Sequence, residues 1–108
     1  MSNVIITFKN RALLAWLEAK GIRGDVCGYV THTDVVHNHI IGHLPLWLAA
    51  YTESVSEISL PRLTKEERQR LNDGLLSIAE MDAGGAHLVT YNVRRTPFHL
   101  AEAPQRAA

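Results

Sequence analysis

Cysteine occurs once in this chain, at Cys27. A single thiol forms no internal disulfide, which fits a reducing compartment, and Cys27 reads as a small buried side chain. Charge of one sign is not in excess either: 11 Lys and Arg balance 11 Asp and Glu. A neutral chain lacks the basic excess of a general nucleic-acid binder, so double-stranded nucleic acid is not an expected partner. A small anion, held by a few local cations, stays open. No apolar run approaches the roughly 20 residues that span a bilayer, and no charged amino-terminal segment leads into an apolar core. These lacks lead us to expect a cytoplasmic protein with no membrane partner. Internal repeats are missing, as are the Gly-x-Gly-x-x-Gly fingerprint and the phosphate-loop motif. An ordinary NAD or ATP enzyme is thereby set aside, and no cofactor is expected.

What is present suffices for one core. The 108 residues, 46% of them hydrophobic, fit a single domain. We place it at 1–95, with 96–108 as a weakly structured tail containing Pro97 and Pro104. A chain this short buries a modest share of its surface, so a two-fold homodimer is expected.

The pattern alternates strands and helices. Residues 4–8 (Val-Ile-Ile-Thr-Phe) form an apolar β-branched run. Asn10 caps a helix whose apolar positions include Leu13, Trp16 and Leu17, and Gly21 stops it. Residues 25–31 read as a second strand, 33–38 as a loop leading into Ile40 and Ile41, and 46–51 as a helix begun by Pro45. A short strand follows at 57–60. Thr64-Lys65-Glu66-Glu67 opens a helix through about Met81, and 87–93 alternates as the last strand. Strands and helices in this order predict an α/β fold, a mostly parallel sheet covered by helices.

In such sheets ligands gather at the carboxyl ends of strands. Two turns lie there, Phe8-Lys9-Asn10-Arg11 and Gly42-His43-Leu44-Pro45. The second enters a helix, whose free amides and partial positive charge suit a phosphate. Gly42 would admit a close backbone approach, and Lys9 and Arg11 add charge. His32, His37, His39 and His43 cluster in sequence and raise the alternative of a metal site. Their spacing matches no standard zinc signature, however. Trp16 and Trp47 read as core or dimer contacts. The 65–70 charge run reads as a solvated helix face. Arg94, after the last strand, is within reach of a ligand.

The order of motifs resembles a known family. Val30-Thr31-His32-Thr33-Asp34 precedes Ile40-Ile41-Gly42-His43-Leu44-Pro45-Leu46-Trp47-Leu48-Ala49-Ala50, and Leu88-Val89-Thr90-Tyr91-Asn92-Val93 closes the pattern. Over most of 3–94 this resembles the small CRISPR-associated accessory family Csx-sixteen. Residues 40–50 carry the most specific match. The resemblance implies a Rossmann-like, CARF-like homodimer acting on cyclic oligoadenylate. It also implies a ring nuclease that opens cyclic tetra-adenylate and ends type III CRISPR signalling. A ribose 2′-hydroxyl would attack the adjacent phosphorus without a metal. Lys9 and Arg11 would stabilise charge there, and His43 would act as acid or base. Thr7, Phe8, Asn10, His32, Gly42, Leu44 and Arg94 are expected ligand contacts. Two departures stand out: His43 replaces a usual threonine, and Lys9-Asn10 replaces a usual Arg-His. The alternatives are a non-catalytic sponge for the same ligand, or a dimeric interaction or metal-binding module.

Overall fold

The computed structural model describes residues 4–97. The elements are β1 (Val4–Ile6), α1 (Arg11–Ala19), β2 (Asp25–Val26), α2 (His32–Val35) and β3 (His39–Ile41), then α3 (Leu46–Ala49), β4 (Ser54–Ser59), α4 (Lys65–Asn72), α5 (Ile78–Ala83) and β5 (His87–Tyr91). The five strands form one sheet in the order β2-β1-β3-β4-β5. Strands β1 to β4 pair in parallel, and β5 runs antiparallel to β4. The expected α/β class and mostly parallel sheet are therefore present. None of the described helices is long and apolar enough to cross a membrane.

Side chains of a strand point alternately to its two faces, and consecutive isoleucines build a core on each side. Ile6 and Ile41 pack with Trp16 and Leu17 of α1, Leu71 of α4 and Met81 of α5. Ile5 and Ile40 pack with Val35 of α2 and Leu48 and Ala49 of α3. The unbroken apolar runs in β1 and β3 follow from this, because a parallel strand covered on both faces has no solvent side.

Helix α1 begins where the Asn10 side-chain oxygen accepts from the amides of Ala12 (2.9 Å) and Leu13 (3.2 Å). The same side chain donates to the Leu71 carbonyl at 2.7 Å and so ties α1 to α4. Trp16 is core, as expected, and its indole donates to Asp82 of α5 at 2.9 Å. Lys20 reaches the same carboxylate at 3.2 Å. The Trp16 hydrogen bond, then that of Lys20, holds the Asp82 carboxyl below its ordinary value. A carboxyl lowered in this way stabilises the fold above the unfolded value of about 3.9. The contribution is lost as pH falls through the lower folded value. Thermal melts between about pH 5 and pH 2.5 should therefore lose less stability in Asp82→Asn than in the native protein. Equal losses would remove Asp82 from the acid response.

Several boundaries differ from the sequence pattern. The helix expected from Thr64 to Met81 is two helices. The chain turns at Gly74 (φ +75°), where the Leu75 amide donates to the Arg70 carbonyl at 2.8 Å. Ser77 then starts α5 with a second capping box to Glu80. The second strand shortens from 25–31 to Asp25–Val26, and part of the expected loop at 33–38 is α2. The 46–51 helix is a single turn, Leu46–Ala49. Most of the expected tail lies outside the described residues.

Candidate functional site

Strand β1 leads to α1 on one face of the sheet, and β3 leads to α3 on the other. The strand order reverses between them, and diverging connections of this kind leave a crevice at the carboxyl ends of the strands. The crevice is a cleft of about 510 Å³. Thr7 lies at the end of β1, residues 28–32 form one wall, and the turn from His43 to Pro45 forms the other with Trp47. Lys9 lies along the Gly28 wall: a methyl at Gly28 would sit 3.2 Å from its Cε and 3.6 Å from its Nζ. Two aromatic side chains stand at the mouth, Tyr29 at 83% exposure and Trp47 at 62%. The core role considered for Trp47 is thereby corrected. Its ring lines the cleft, where one face can stack on a planar group.

Gly42 owes its identity to a neighbour within the fold. At φ +144° it is buried, and a Cβ there would lie 1.8 Å from Thr7 Oγ1. Its amide donates to the Ser56 carbonyl at 2.8 Å. The missing side chain lets the ends of β1 and β3 close together, and Gly42 also lines a second, neighbouring cleft. The helix-dipole argument is corrected, since one turn sums few peptide dipoles. Lys9, close to Gly28, brings a cation near one wall of the cleft.

His43 projects from this turn with 84% of its side chain exposed. It borders the first cleft and a second one of about 340 Å³ on the side of β4 and β5. Its Nδ1 lies 3.5 Å from Glu57 Oε2. The other carboxylate oxygen accepts from the Tyr91 hydroxyl at 3.4 Å. The register explains this grouping. Val55 pairs with Tyr91 and Glu57 with Val89, so Glu57 and Tyr91 are diagonal neighbours on one sheet face.

The other anticipated residues divide. Thr7, His32 and Leu44 line the first cleft with His43. His32 also packs edge-on against Tyr51, with ring centres 4.3 Å apart. Phe8 packs into the core beside α1, away from that cleft. The Asn10 amide is committed to capping α1 and to the Leu71 carbonyl. Lys9, Asn10 and Arg11 line a separate hollow of about 240 Å³ with Asn72 and Asp73. Arg94 is exposed, one residue beyond the second cleft. Cys27 is half-buried.

Of the histidines that cluster in sequence, His32 and His43 share the first cleft, and His39 lies apart from them. His39, at the amino end of β3, bonds Ser54 and faces Glu53, while His43 lies past the other end. Among the described residues, no three His, Cys, Asp or Glu side chains gather as a metal site.

Glu57, Tyr29 and Tyr91 are the site residues that sequence reasoning missed. A signal existed for Glu57: in β4 it shares the Val55 face, so a carboxylate points where an apolar residue would pack. No family model, curated protein or solved structure matches the chain.

Proposed function

We propose that the protein is a Rossmann-like, CARF-like ring nuclease for cyclic oligoadenylate, with cyclic tetra-adenylate as the expected ligand. The observation that carries this reading is the cleft at the carboxyl ends of β1 and β3, with His43 on its rim and Lys9 close behind its Gly28. Exposed Tyr29 and Trp47 offer adenine a stacking surface, and Lys9 offers a phosphate its cation. The ligand's identity is proposed from the resemblance of residues 40–50 to the Csx-sixteen pattern. The strand order is that of a doubly wound fold; the antiparallel β5 is a departure from it.

The reaction needs in-line geometry, charge neutralisation and movement of a proton. The ribose 2′-hydroxyl attacks the adjacent phosphorus, and the 5′-oxygen leaves. One product end is a 2′,3′-cyclic phosphate and the other a 5′-hydroxyl. If Glu57, 3.5 Å from Nδ1 of His43, accepts from Nδ1–H, then Nε2 keeps its lone pair, takes the proton of the 2′-hydroxyl and returns it to the departing 5′-oxygen. Catalytic hydrogen bonds in unliganded sites are often long, and this one would tighten with ligand in place. Lys9, the cation beside Gly28, is assigned to the phosphorane charge, and Arg11, which shares a hollow with it, contributes at longer range. The sponge reading also has an observation behind it. Asn10, at the position where the family pattern carries histidine, is fully used as a cap, so cutting rests on His43 alone.

Lys9→Ala should weaken cyclic tetra-adenylate binding by about 1.5–3 kcal/mol, the range for a charged hydrogen bond. Lys65→Ala, on an exposed helix face, should change it little. Titration calorimetry reads both, and normal binding by Lys9→Ala would put the phosphate elsewhere. The proposed two-fold dimer, with the ligand on its axis, is read by light scattering of the same samples. A monomer with and without ligand contradicts it.

A further inference from the structure

We infer that the second cleft, across His43 from the first, is a subsite for an adenine base. This rests on the reading above and extends it to the adjoining nucleotide of the same ligand. The two clefts share the His43–Leu44 wall but differ in charge. The first has no carboxylate, lysine or arginine among its lining residues, and Lys9 lies close to its Gly28. The second is lined by the Glu57 carboxylate and by no lysine or arginine. A phosphate is therefore disfavoured in the second cleft relative to the first. What suits the second is an uncharged, flat group that donates hydrogen bonds.

Its walls specify that group further. Leu46, Ala49, Val55 and Val93 give an apolar cup, and Glu57, Tyr91 and Asn92 supply polar atoms. About 340 Å³ lies within the range of small-ligand pockets, which combine an apolar lining with a few placed polar groups. Glu57 makes one long contact through each oxygen, and an ionised carboxylate has about four acceptor positions. It can therefore accept from an exocyclic amine while still facing His43. Adenine carries such an amine; hypoxanthine, of the same shape, has a carbonyl oxygen there. With one nucleoside in each cleft, the phosphodiester between them crosses the His43 ridge, where the proton must move.

Methyl-resolved NMR separates the two sites. Val30 and Leu48 report the first cleft, and Leu46, Val55 and Val93 the second. Titration with adenosine monophosphate should shift both sets. Inosine monophosphate should need about tenfold more ligand to shift the second set, the loss expected for one hydrogen bond to a charged group. Glu57→Ala should abolish that preference. Shifts confined to the first set would overturn the inference and leave the proposed function standing. Shifts in neither set would overturn both. Equal affinity of the second set for the two nucleotides would overturn recognition of the amine by Glu57.

Discussion

His43→Ala is expected to slow opening of cyclic tetra-adenylate by ~10²–10⁴-fold, the usual contribution of a general acid or base. Binding should fall far less, because Lys9, Tyr29 and Trp47 remain. The fold should be unchanged, since 84% of the His43 side chain is exposed and its one ion pair is long. Surface pairs of this kind contribute little stability. Single-turnover rates with ligand in excess of its dissociation constant would separate the two effects. A native rate in His43→Ala removes histidine from the chemistry. Loss of binding along with rate makes His43 a contact with phosphate or base. If Glu57 sets the ring's tautomer, Glu57→Gln should lower the same rate in the same direction by a smaller factor.

Gly42→Ala should have the largest structural effect of any single methyl added near the site. Its Cβ would lie 1.8 Å from Thr7 Oγ1 and 3.1 Å from Thr7 Cβ, at a φ of +144° that L-residues rarely adopt. Backbone strain of about 1–3 kcal/mol adds to overpacking of about 1–3 kcal/mol. A domain holds about 5–15 kcal/mol in all, so Gly42→Ala approaches the threshold of folding. Thr7→Ala in the same chain removes the oxygen clash and should recover part of the loss, leaving the strain. Urea denaturation of the single and double variants measures this. A Gly42→Ala variant as stable as the native chain would contradict the tight closure of β1 on β3.

The sheet was legible in the sequence because paired isoleucines at 5–6 and 40–41 have one physical explanation, strands buried on both faces. The α1 start was legible for the same kind of reason, as Asn10 has a cap to make. The division of the long helix was equally written there, in Asp73-Gly74 and in the second capping box from Ser77 to Glu80. It was missed because the first capping box at Thr64 accounts for the same stretch. Trp47 shows the limit of periodicity. Its apolar neighbours Leu48 and Ala49 are buried, and only the single-turn length of α3 explains why the indole stays outside. The clefts were not legible in detail. Their walls come from residues 7, 28–32, 42–49, 55, 57 and 91–93, brought together by a strand order that no local pattern states. Gly42 was identified as a point of close approach, and its closeness to Thr7 was not legible because the pairing of β1 with β3 is a tertiary fact.

The most direct test incubates the purified native protein with cyclic tetra-adenylate in excess EDTA and resolves the products by chromatography and mass spectrometry. The account predicts linear di-adenylate ending in 2′,3′-cyclic phosphate and 5′-hydroxyl, formed without divalent metal and suppressed in His43→Ala. Intact ligand recovered after long incubation would contradict cleavage: retained on the protein it makes the chain a sponge, and unbound it removes cyclic oligoadenylate from the account altogether.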